Sequence, residues 1–253
     1  GAPGSTLLLA ELDGAPVGAA VLQVHRGAGW ISGAAVVPEA RGRGIHRVQM
    51  PENILGALFH LTKPYARSAL DQVSSKWVRQ TSVPLAGKTL GILGMGTIGI
   101  ELARKAAALE MRVIGTRYSK APVPGAEKIL GPEGTGEVLE QSDYVVLLLS
   151  DTAQTENIIN AAALAKMKKS AWLLNFARGN LIVDEDLIAA VKAGTIAGAI
   201  LDVFRVEPLP SEHPFWTTPG IQVLPHIGGG HPDREKLVAD VFVNNLRSYL
   251  EGK

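Results

Sequence analysis

The sequence has no cysteine, few aromatic residues and no long apolar run, and each absence excludes a class of protein. Without cysteine, disulfides, thiol catalysis and zinc–thiolate sites are excluded across the 253 residues. No stretch approaches the ~18 apolar residues of a membrane span, so we expect no membrane partner. The chain also shows no basic start followed by an apolar run, which predicts a cytoplasmic protein without a signal peptide. We identify no metal site.

The sequence also lacks an excess of charge of either sign. It has 25 lysine and arginine residues against 24 aspartate and glutamate residues. A nearly neutral chain gives no electrostatic reason to expect nucleic acid as a partner. By contrast, hydrophobic residues make up 46% of the sequence, which is enough to fill a core and predicts a folded protein of one large or two small domains.

The middle of the chain alternates between apolar runs and helical patterns. Continuous apolar strands separated by helices predict a parallel sheet that is covered on both faces, in an α/β domain. The core of this domain should run from about residue 85 to residue 226. The predicted strands are 89–93, 112–115, 144–149, 172–177, 197–203 and 221–224.

The remaining segments have different patterns. Residues 6–38 alternate as three short strands with turn residues between them, which predicts a small antiparallel β meander. Residues 50–80 have a helical pattern, which Pro64 should kink or split because proline lacks the amide hydrogen. Residues 232–250 also have a helical pattern.

A glycine-rich turn follows the first strand of the parallel sheet and precedes a helix. In this context the first glycine makes a tight turn, the second lets a pyrophosphate approach the backbone, and the third lets the helix pack on the strand. The helix N-terminus then offers free amides to the phosphates. The alternative is a glycine-rich turn without a ligand. The residues predicted to bind a dinucleotide here are Gly94, Met95, Gly96, Thr97, Ile98 and Gly99. We call this segment the fingerprint turn.

The end of the second strand bears on the choice of dinucleotide. An NAD site usually has an acidic residue there, which holds the ribose 2′-hydroxyl. Here the strand is followed by Thr116, Arg117, Ser119 and Lys120, with no acid. Arg117 and Lys120 suit a 2′-phosphate, so we expect NADP to be preferred over NAD. The alternative is a basic loop that is simply solvated.

Three later strands end in polar residues, in an order that resembles a known family. The segments are Ala177-Arg178-Gly179, then Asp202-Val203-Phe204 leading to Glu207-Pro208-Leu209-Pro210, and finally Pro225-His226-Ile227-Gly228. Together with the glycine fingerprint they resemble the D-isomer-specific 2-hydroxyacid dehydrogenases, from about residue 50 to the C-terminus. The resemblance implies a Rossmann domain that transfers a hydride between NAD(P)(H) and a small 2-keto or 2-hydroxy acid.

The resemblance also implies roles for individual residues. Arg178 would bind the substrate carboxylate, His226 would be the acid and base, and Glu207 would pair with His226. Each residue also has an ordinary alternative: a surface ion-pair partner, a core histidine and a loop acid, respectively. The cofactor would further contact Thr152, Ala177, Asp202 and Gly228. The family often has Pro-Leu-Thr where this chain has Ser150-Asp151-Thr152, and Asp151 adds a charge near the expected ribose.

The front of the chain departs from this family, in which a flavodoxin-like domain precedes the helix near residue 50. Residues 6–45 instead resemble the strands and the Arg41-Gly42-Arg43-Gly44 pyrophosphate loop of a GNAT-type N-acetyltransferase. We therefore interpret the chain as two parts, 1–48 and 49–253, joined near residues 46–50. Pro51 should interrupt the helix expected after that loop. The meander could cover apolar surface, bind acetyl-CoA or be a poorly ordered appendage.

Three hypotheses on function follow. The first is a dehydrogenase, the second is a dinucleotide-binding module with little turnover because part of the substrate cleft is replaced, and the third is an acetyltransferase. We also expect a two-fold homodimer, because the segment before the first Rossmann strand is more apolar than an exposed helix requires. Its apolar residues are Phe59, Leu61, Tyr65, Leu70 and Trp77.

Overall fold

The computed structural model describes residues 46–230, the strand backbone of residues 5–12, 15–25 and 28–36, and the single positions 232 and 243. These residues fall into two units. One spans Val48–Gly229, and the three N-terminal strands belong to the other. The predicted pyrophosphate loop at 41–44 lies outside the described residues, as does the predicted helix over 232–250 apart from the two single positions.

The N-terminal strands form a three-stranded antiparallel sheet, as the alternating pattern predicts. The strands are β1 (Ser5–Leu12), β2 (Ala15–His25) and β3 (Ala28–Val36), in the order β1-β2-β3. Two residues separate each strand from the next, which is the shortest common hairpin loop. The meander is therefore confirmed as a backbone arrangement.

Two helices follow, α1 (His46–Thr62) and α2 (Tyr65–Val73). Their separation at Pro64 confirms the predicted split. The expectation that Pro51 interrupts a helix is wrong, because α1 continues through it. Pro51 is the sixth residue of the helix. Its missing amide hydrogen therefore removes only one backbone hydrogen bond, close to the N-terminus of the helix.

The second helix ends earlier than the pattern suggests, at Val73 rather than near residue 80. Ser75 has a positive φ of 52°, and the Lys76 amide donates to the Asp71 carbonyl at 2.9 Å. A left-handed residue with a backward bond of this kind terminates a helix. Residues 76–84 therefore run outside regular structure and lead towards the first strand of the parallel sheet.

The larger sheet has seven parallel strands, in the order β10-β9-β8-β7-β4-β5-β6. Six coincide with the predicted strands, and the predicted Rossmann-type α/β fold is confirmed. The seventh, β6, has three residues, too few for an apolar pattern to stand out. The strands are β4 (Thr89–Leu93), β5 (Arg112–Thr116), β6 (Lys128–Leu130), β7 (Tyr144–Leu147), β8 (Trp172–Asn175), β9 (Gly198–Leu201) and β10 (Ile221–Val223).

Apolar side chains cover both faces of this sheet. In β7, Val145 and Leu147 belong to one buried cluster, whereas Tyr144 and Val146 belong to the other. Successive strand residues point to opposite faces, so a fully buried strand must be apolar throughout. The connecting helices are α3 (Thr97–Ala108), α4 (Thr135–Gln141), α5 (Ala161–Leu164) and α6 (Asp184–Lys192).

Within the residues that the structure describes, no helix has the length and hydropathy needed to cross a membrane.

Candidate active site

The carboxyl ends of the parallel strands lie in one row. Leu93 pairs with Thr116 on one side and with Leu147 on the other, and the register continues from Leu147 through Asn175 and Leu201 to Val223. Each of these residues is the last or nearly the last of its strand. All the predicted site segments therefore begin at the same edge of the sheet, where open α/β sheets bind ligands.

The chain also changes direction across the sheet at this edge. From β4, the connections through β5 and β6 proceed to one side, whereas β7 to β10 proceed to the other. Such a topological switch point leaves a crevice between β4 and β7, next to the glycine-rich turn. From β5 to β10 the edge spans five strand spacings, or roughly 24 Å, which can accommodate an extended dinucleotide.

Gly94 and Gly99 are required by the geometry of the turn itself. Gly94 has a φ of +101°, and a Cβ there would lie 2.6 Å from the carbonyl carbon of Leu148. A Cβ on Gly99 would lie 2.9 Å from the Gly94 carbonyl oxygen. A side chain at either position would collide with backbone, so the tight turn and the close approach of α3 to the sheet both depend on glycine.

Gly96 differs from these two because nothing lies within 4 Å of the position that its Cβ would take. Its φ of −84° is also open to any residue. Glycine is therefore not needed there for the turn, but it leaves open space directly at the N-terminus of α3. Helix geometry leaves the first amides of α3, at Thr97, Ile98 and Gly99, without partners inside the helix. These residues fit a pyrophosphate group.

Met95 cannot offer its side chain to a ligand at this turn. The side chain is buried in the core, and its amide donates to the Thr116 carbonyl at 2.8 Å. Met95 therefore fixes the turn to the end of β5.

The loop after β5 presents Arg117 differently from Lys120. Lys120 forms an ion pair with Glu133, whereas no carboxylate among residues 46–230 pairs with the half-buried Arg117. The backbone amide of Arg117 donates to the Leu130 carbonyl at 2.9 Å, which fixes the start of its side chain. Thr116 is buried and Ser119 is exposed. Arg117 is thus the available cation at this end.

His226 and Glu207 meet at the opposite end of the row. The Nδ1 atom of His226 lies 2.7 Å from Oε2 of Glu207. Burial raises the pKa of Glu207, but the hydrogen bonds from His226 and from the Phe204 amide outweigh it, so the net pKa lies below the ordinary value. An ionised carboxylate only accepts hydrogen bonds, so Nδ1 carries the hydrogen and Nε2 is left for another partner.

Arg178 is exposed beside this pair. Its charge contributes to the lowered pKa of Glu207, which places it within electrostatic reach. The buried Asn175 shapes the turn that carries it, because its side chain donates to the Arg178 carbonyl and accepts from the Ala177 amide. The guanidinium itself donates to the Ala177 carbonyl at 2.6 Å. The buried Ala177 therefore contacts Arg178 through its carbonyl and Asn175 through its amide.

Asp202 holds the loop that carries His226. Its two carboxylate oxygens accept hydrogen bonds from the amides of Ile227 and Gly228, at 2.7 and 2.9 Å. Burial raises the pKa of Asp202, and these two hydrogen bonds offset the effect only in part. A Cβ on Gly228 would lie 2.6 Å from the carboxylate, so glycine permits this close approach.

The polar side chains of the loop after β7 form hydrogen bonds within the protein. Asp151 accepts a hydrogen bond from the side chain of Asn180 at 2.9 Å, so its charge is turned towards the loop after β8. Thr152 is exposed and its hydroxyl lies 3.0 Å from that of Thr155. The Thr152 hydroxyl is therefore paired within its own loop.

A match to a protein family accounts for these features together. Residues 55–228 match the family described as D-isomer specific 2-hydroxyacid dehydrogenase, NAD binding domain. The chain belongs to this family. The match contains the fingerprint turn and all three residues of the His226, Glu207 and Arg178 group, and it ends within the loop that Asp202 holds.

Individual relatives agree with this membership. The chain is 36% identical over 236 residues to a glyoxylate reductase of Pyrococcus furiosus, a match that covers 86% of the chain and 69% of that protein. A family structure from Xanthobacter autotrophicus in complex with NADPH and MES superposes with a TM-score of 0.73 at 28% identity, over 82% of this chain and 85% of that one.

Another relative is an uncharacterized protein of Corynebacterium melassecola, 37% identical over 166 residues. That match covers 66% of this chain and 55% of the relative, so the chain spans about half the length of that protein.

Sequence reasoning missed two polar residues at the site, Asn53 and Asn175. Asn53 lies in α1, yet its side chain donates to the carbonyls of Ile227 and Gly228, 174 and 175 residues away. No local pattern indicates such a contact. Asn175 could have been found, since an amide in the last position of a buried apolar strand needs a hydrogen-bond partner.

Proposed function

We propose that this chain transfers a hydride between NADP(H) or NAD(H) and a small 2-keto or 2-hydroxy acid. The observation that carries the proposal is the 2.7 Å contact between His226 and Glu207 at the strand-end row of a member of this family. The glyoxylate reductase of Pyrococcus furiosus supports a small 2-keto acid as the substrate class.

The three charged side chains have separate tasks in this proposal. Arg178 binds the substrate carboxylate through its planar guanidinium, which suits a two-pronged contact. In the reduction, C2 of the keto acid accepts the hydride, and Nε2 of His226 donates its proton to the keto oxygen. Glu207 accepts from Nδ1, holds the ring in the required tautomer and stabilises the protonated imidazole. In the oxidation, each transfer runs in reverse.

The residues of the fingerprint turn would hold the dinucleotide. Gly96 provides the space for the pyrophosphate, and the first amides of α3 donate to it. Bound nicotinamide supplies or takes up the hydride. Ala177, Asp202, Gly228 and Thr152 complete the cofactor contacts expected from the family, with Asp202 acting through the loop that it holds.

We infer that NADP is preferred over NAD. The support is Arg117, which has no carboxylate partner among residues 46–230 and follows the strand where NAD sites usually place an acid. Lys120 contributes less because it is engaged by Glu133. The structure from Xanthobacter autotrophicus contains NADPH, which shows that a member of the family takes this form of the cofactor.

A second function is a dinucleotide-binding module with weak turnover. Its support is the front of the chain, where a β meander precedes α1 in the sequence, whereas the family has a flavodoxin-like domain before this helix. Catalysis needs substrate held in a tight geometry, and an open cleft admits water. We expect the dinucleotide to bind and turnover to be weak.

The deciding experiment combines calorimetric titration of NADPH with its oxidation followed by absorbance, using glyoxylate or hydroxypyruvate as substrate. Binding with turnover that His226→Asn removes would establish the dehydrogenase. Binding without turnover would establish the module. Absence of dinucleotide binding would contradict both, and a parallel titration with acetyl-CoA tests the third hypothesis, which rests on the sequence resemblance of residues 6–45.

We also propose a two-fold homodimer formed through the segment that includes α2. Tyr65, Val73 and Trp77 expose 77%, 86% and 92% of their surfaces, and Phe59 and Leu70 are exposed as well. Leu61 differs from the prediction, because it packs partly buried against the core. Apolar residues this exposed and this close in sequence are typical of an interface. Light scattering at micromolar concentration should give the mass of a dimer, and Trp77→Ser together with Val73→Ser should reduce it to that of a monomer.

The division of the chain into residues 1–48 and 49–253 stays a prediction, as does a cytoplasmic location. Limited proteolysis that cleaves near residues 46–50 and leaves a dinucleotide-binding fragment would support the division. Cleavage confined to other positions would contradict it.

A further inference from the structure

The loop that carries His226 depends on contacts from outside itself. It follows β10 without regular secondary structure, and His226 has a positive φ of 52°. Non-glycine residues rarely adopt this conformation, and it persists only where surrounding contacts fix it. The position of the imidazole is therefore decided by whatever holds the backbone on either side of it.

Two side chains hold this backbone, one by accepting hydrogen bonds and the other by donating them. Asp202 accepts from the amides of Ile227 and Gly228, as described above. The side-chain amide of Asn53 donates to the carbonyls of the same two residues, at 3.2 and 2.8 Å. We call Asn53 and Asp202 the loop clamp. Together they satisfy both the donors and the acceptors of the two residues that follow His226.

Asn53 is anchored on a rigid element. Its neighbour Ile54 and the next helical turn at Leu58 are completely buried, in the same cluster as Phe176. Glu52 forms an ion pair with Lys105 of α3 at 3.2 Å. The helix that carries Asn53 is thus packed on the sheet and joined to the helix that begins at the fingerprint turn.

We propose that Asn53 is a positioning residue, which holds the Ile227 and Gly228 carbonyls and thereby keeps His226 against Glu207. The part played by His226 in turnover rests on the function proposed above. The coupling between Asn53 and the His226–Glu207 contact does not rest on that function, because it involves only groups of this chain.

The chemistry of the contact explains why an amide is needed. Two carbonyl oxygens converge on the Asn53 side chain, so the residue must donate, and its NH₂ group carries two hydrogens. Leucine has nearly the same shape and no donor. Asn53→Leu should therefore leave the packing of α1 in place and release the two carbonyls to water, which frees the loop to leave its left-handed conformation.

The first test follows the Glu207 carboxyl by ¹³C NMR titration of the full chain without cofactor. In Asn53→Leu the pKa of Glu207 should rise, in the same direction as in His226→Asn, because the hydrogen bond from His226 no longer lowers it. The Phe204 amide remains in place, so the rise should be partial. His60→Gln, at an exposed position on the same helix, should leave the titration unchanged. An unchanged Glu207 titration in Asn53→Leu overturns the proposal.

The second test separates positioning from cofactor binding. In Asn53→Leu, kcat for glyoxylate reduction should fall by about 10- to 100-fold, as misplacement of a reacting group does, while the dissociation constant of NADPH stays unchanged. A loss of NADPH affinity with an unchanged kcat also overturns the proposal. If the wild-type chain shows no turnover, the proposed function fails and the Glu207 titration still decides the role of Asn53. Asn53→Ala serves if circular dichroism shows Asn53→Leu to be unfolded.

Discussion

The fingerprint turn and the His226 loop both follow the end of a parallel strand, yet they are held in place by different means. At the fingerprint turn, Gly94 and Gly99 have no room for a side chain because backbone lies where a Cβ would be. At the His226 loop, the side chains of Asp202 and Asn53 fix the backbone of two residues, Ile227 and Gly228, through four hydrogen bonds. One region is shaped by steric exclusion and the other by long-range polar contacts.

This difference determines how each region responds to change. Steric exclusion at the fingerprint turn comes from closely packed backbone, so the turn should keep its shape as long as β4, β7 and α3 are folded. The hydrogen bonds that Asp202 and Asn53 make to the His226 loop come from residues 25 or more positions away. The loop should therefore be sensitive to substitutions far from it in sequence, and the following predictions test this contrast.

The largest effect is expected from His226→Asn. Asparagine tolerates a positive φ, so the loop backbone is kept while the imidazole is removed. Loss of a general acid and base should lower kcat by about 10²- to 10⁴-fold. NADPH affinity, measured by calorimetry, should not change. A kcat within the range of the wild type would show that His226 does not handle the proton.

The next test sets two glycines of the fingerprint turn against each other. Gly94→Ala should destabilise the fold by about 3 kcal/mol, because the new Cβ meets the Leu148 backbone and φ is unfavourable. Gly96→Val should cost only about 1 kcal/mol, as the loss of a favourable N-cap residue does, since its surroundings are open. It should nevertheless abolish dinucleotide binding by blocking the approach of the pyrophosphate. Urea unfolding and calorimetry measure the two effects.

If both variants lose stability to the same extent, the open space at Gly96 has a structural role and the contrast within the turn is wrong. If Gly96→Val binds NADPH as the wild type does, the pyrophosphate does not lie at this turn.

A smaller effect is expected from Arg117→Asp at the adenosine end. A hydrogen bond to a charged group contributes about 1.5–3 kcal/mol, so its loss should shift preference from NADP towards NAD by about that amount. Lys120→Gln is the matched control and should shift it less, because Lys120 already pairs with Glu133. Equal affinities of the wild type for NADP and NAD, measured by calorimetry, would contradict the role of Arg117.

The smallest effect is expected in the pH dependence of stability, which Glu207→Gln tests. The pKa of Glu207 is lowered below its ordinary value of 4.5, so the folded protein binds fewer protons at this group than the unfolded chain does. Its contribution to stability is therefore present above pH 4.5 and is lost as pH falls through the folded-state pKa. The group is partly exposed, which limits the contribution to below about 1 kcal/mol.

Urea unfolding of wild type and Glu207→Gln should differ at neutral pH and converge in acid. A difference that grows as the pH falls would mean that Glu207 is not held as an ionised carboxylate by His226.

The sequence was sufficient for the parallel sheet, for the fingerprint turn and for the three charged residues that the structure gathers at the His226 end. Apolar strands and glycine turns are local signals, and His226, Glu207 and Arg178 each follow such a strand. It was not sufficient for β6, which is too short to show a pattern, or for the end of α2, which depends on a left-handed Ser75. Nor was it sufficient for the ion pair between Lys120 and Glu133, because these residues belong to two different connecting segments.

Asn53 is the clearest case of a contact that no local sequence pattern indicates. Within α1 it is a polar residue between the exposed Glu52 and the buried Ile54, which is an ordinary place for asparagine on a helix. Its partners become neighbours only when β10 joins the far side of the sheet.

The place of β10 in the sheet has a consequence for local opening. It has three residues, all partly exposed, and forms the outer end of the described seven-stranded order, next to β9. An outer strand of this length can detach in a sub-global fluctuation that leaves β4, β5 and β7 folded, and its amides should exchange with solvent well before those of the inner strands. Each such opening would carry His226 away from Glu207 while the fingerprint turn stays intact. Moderate heat or denaturant should therefore remove turnover before it removes dinucleotide binding.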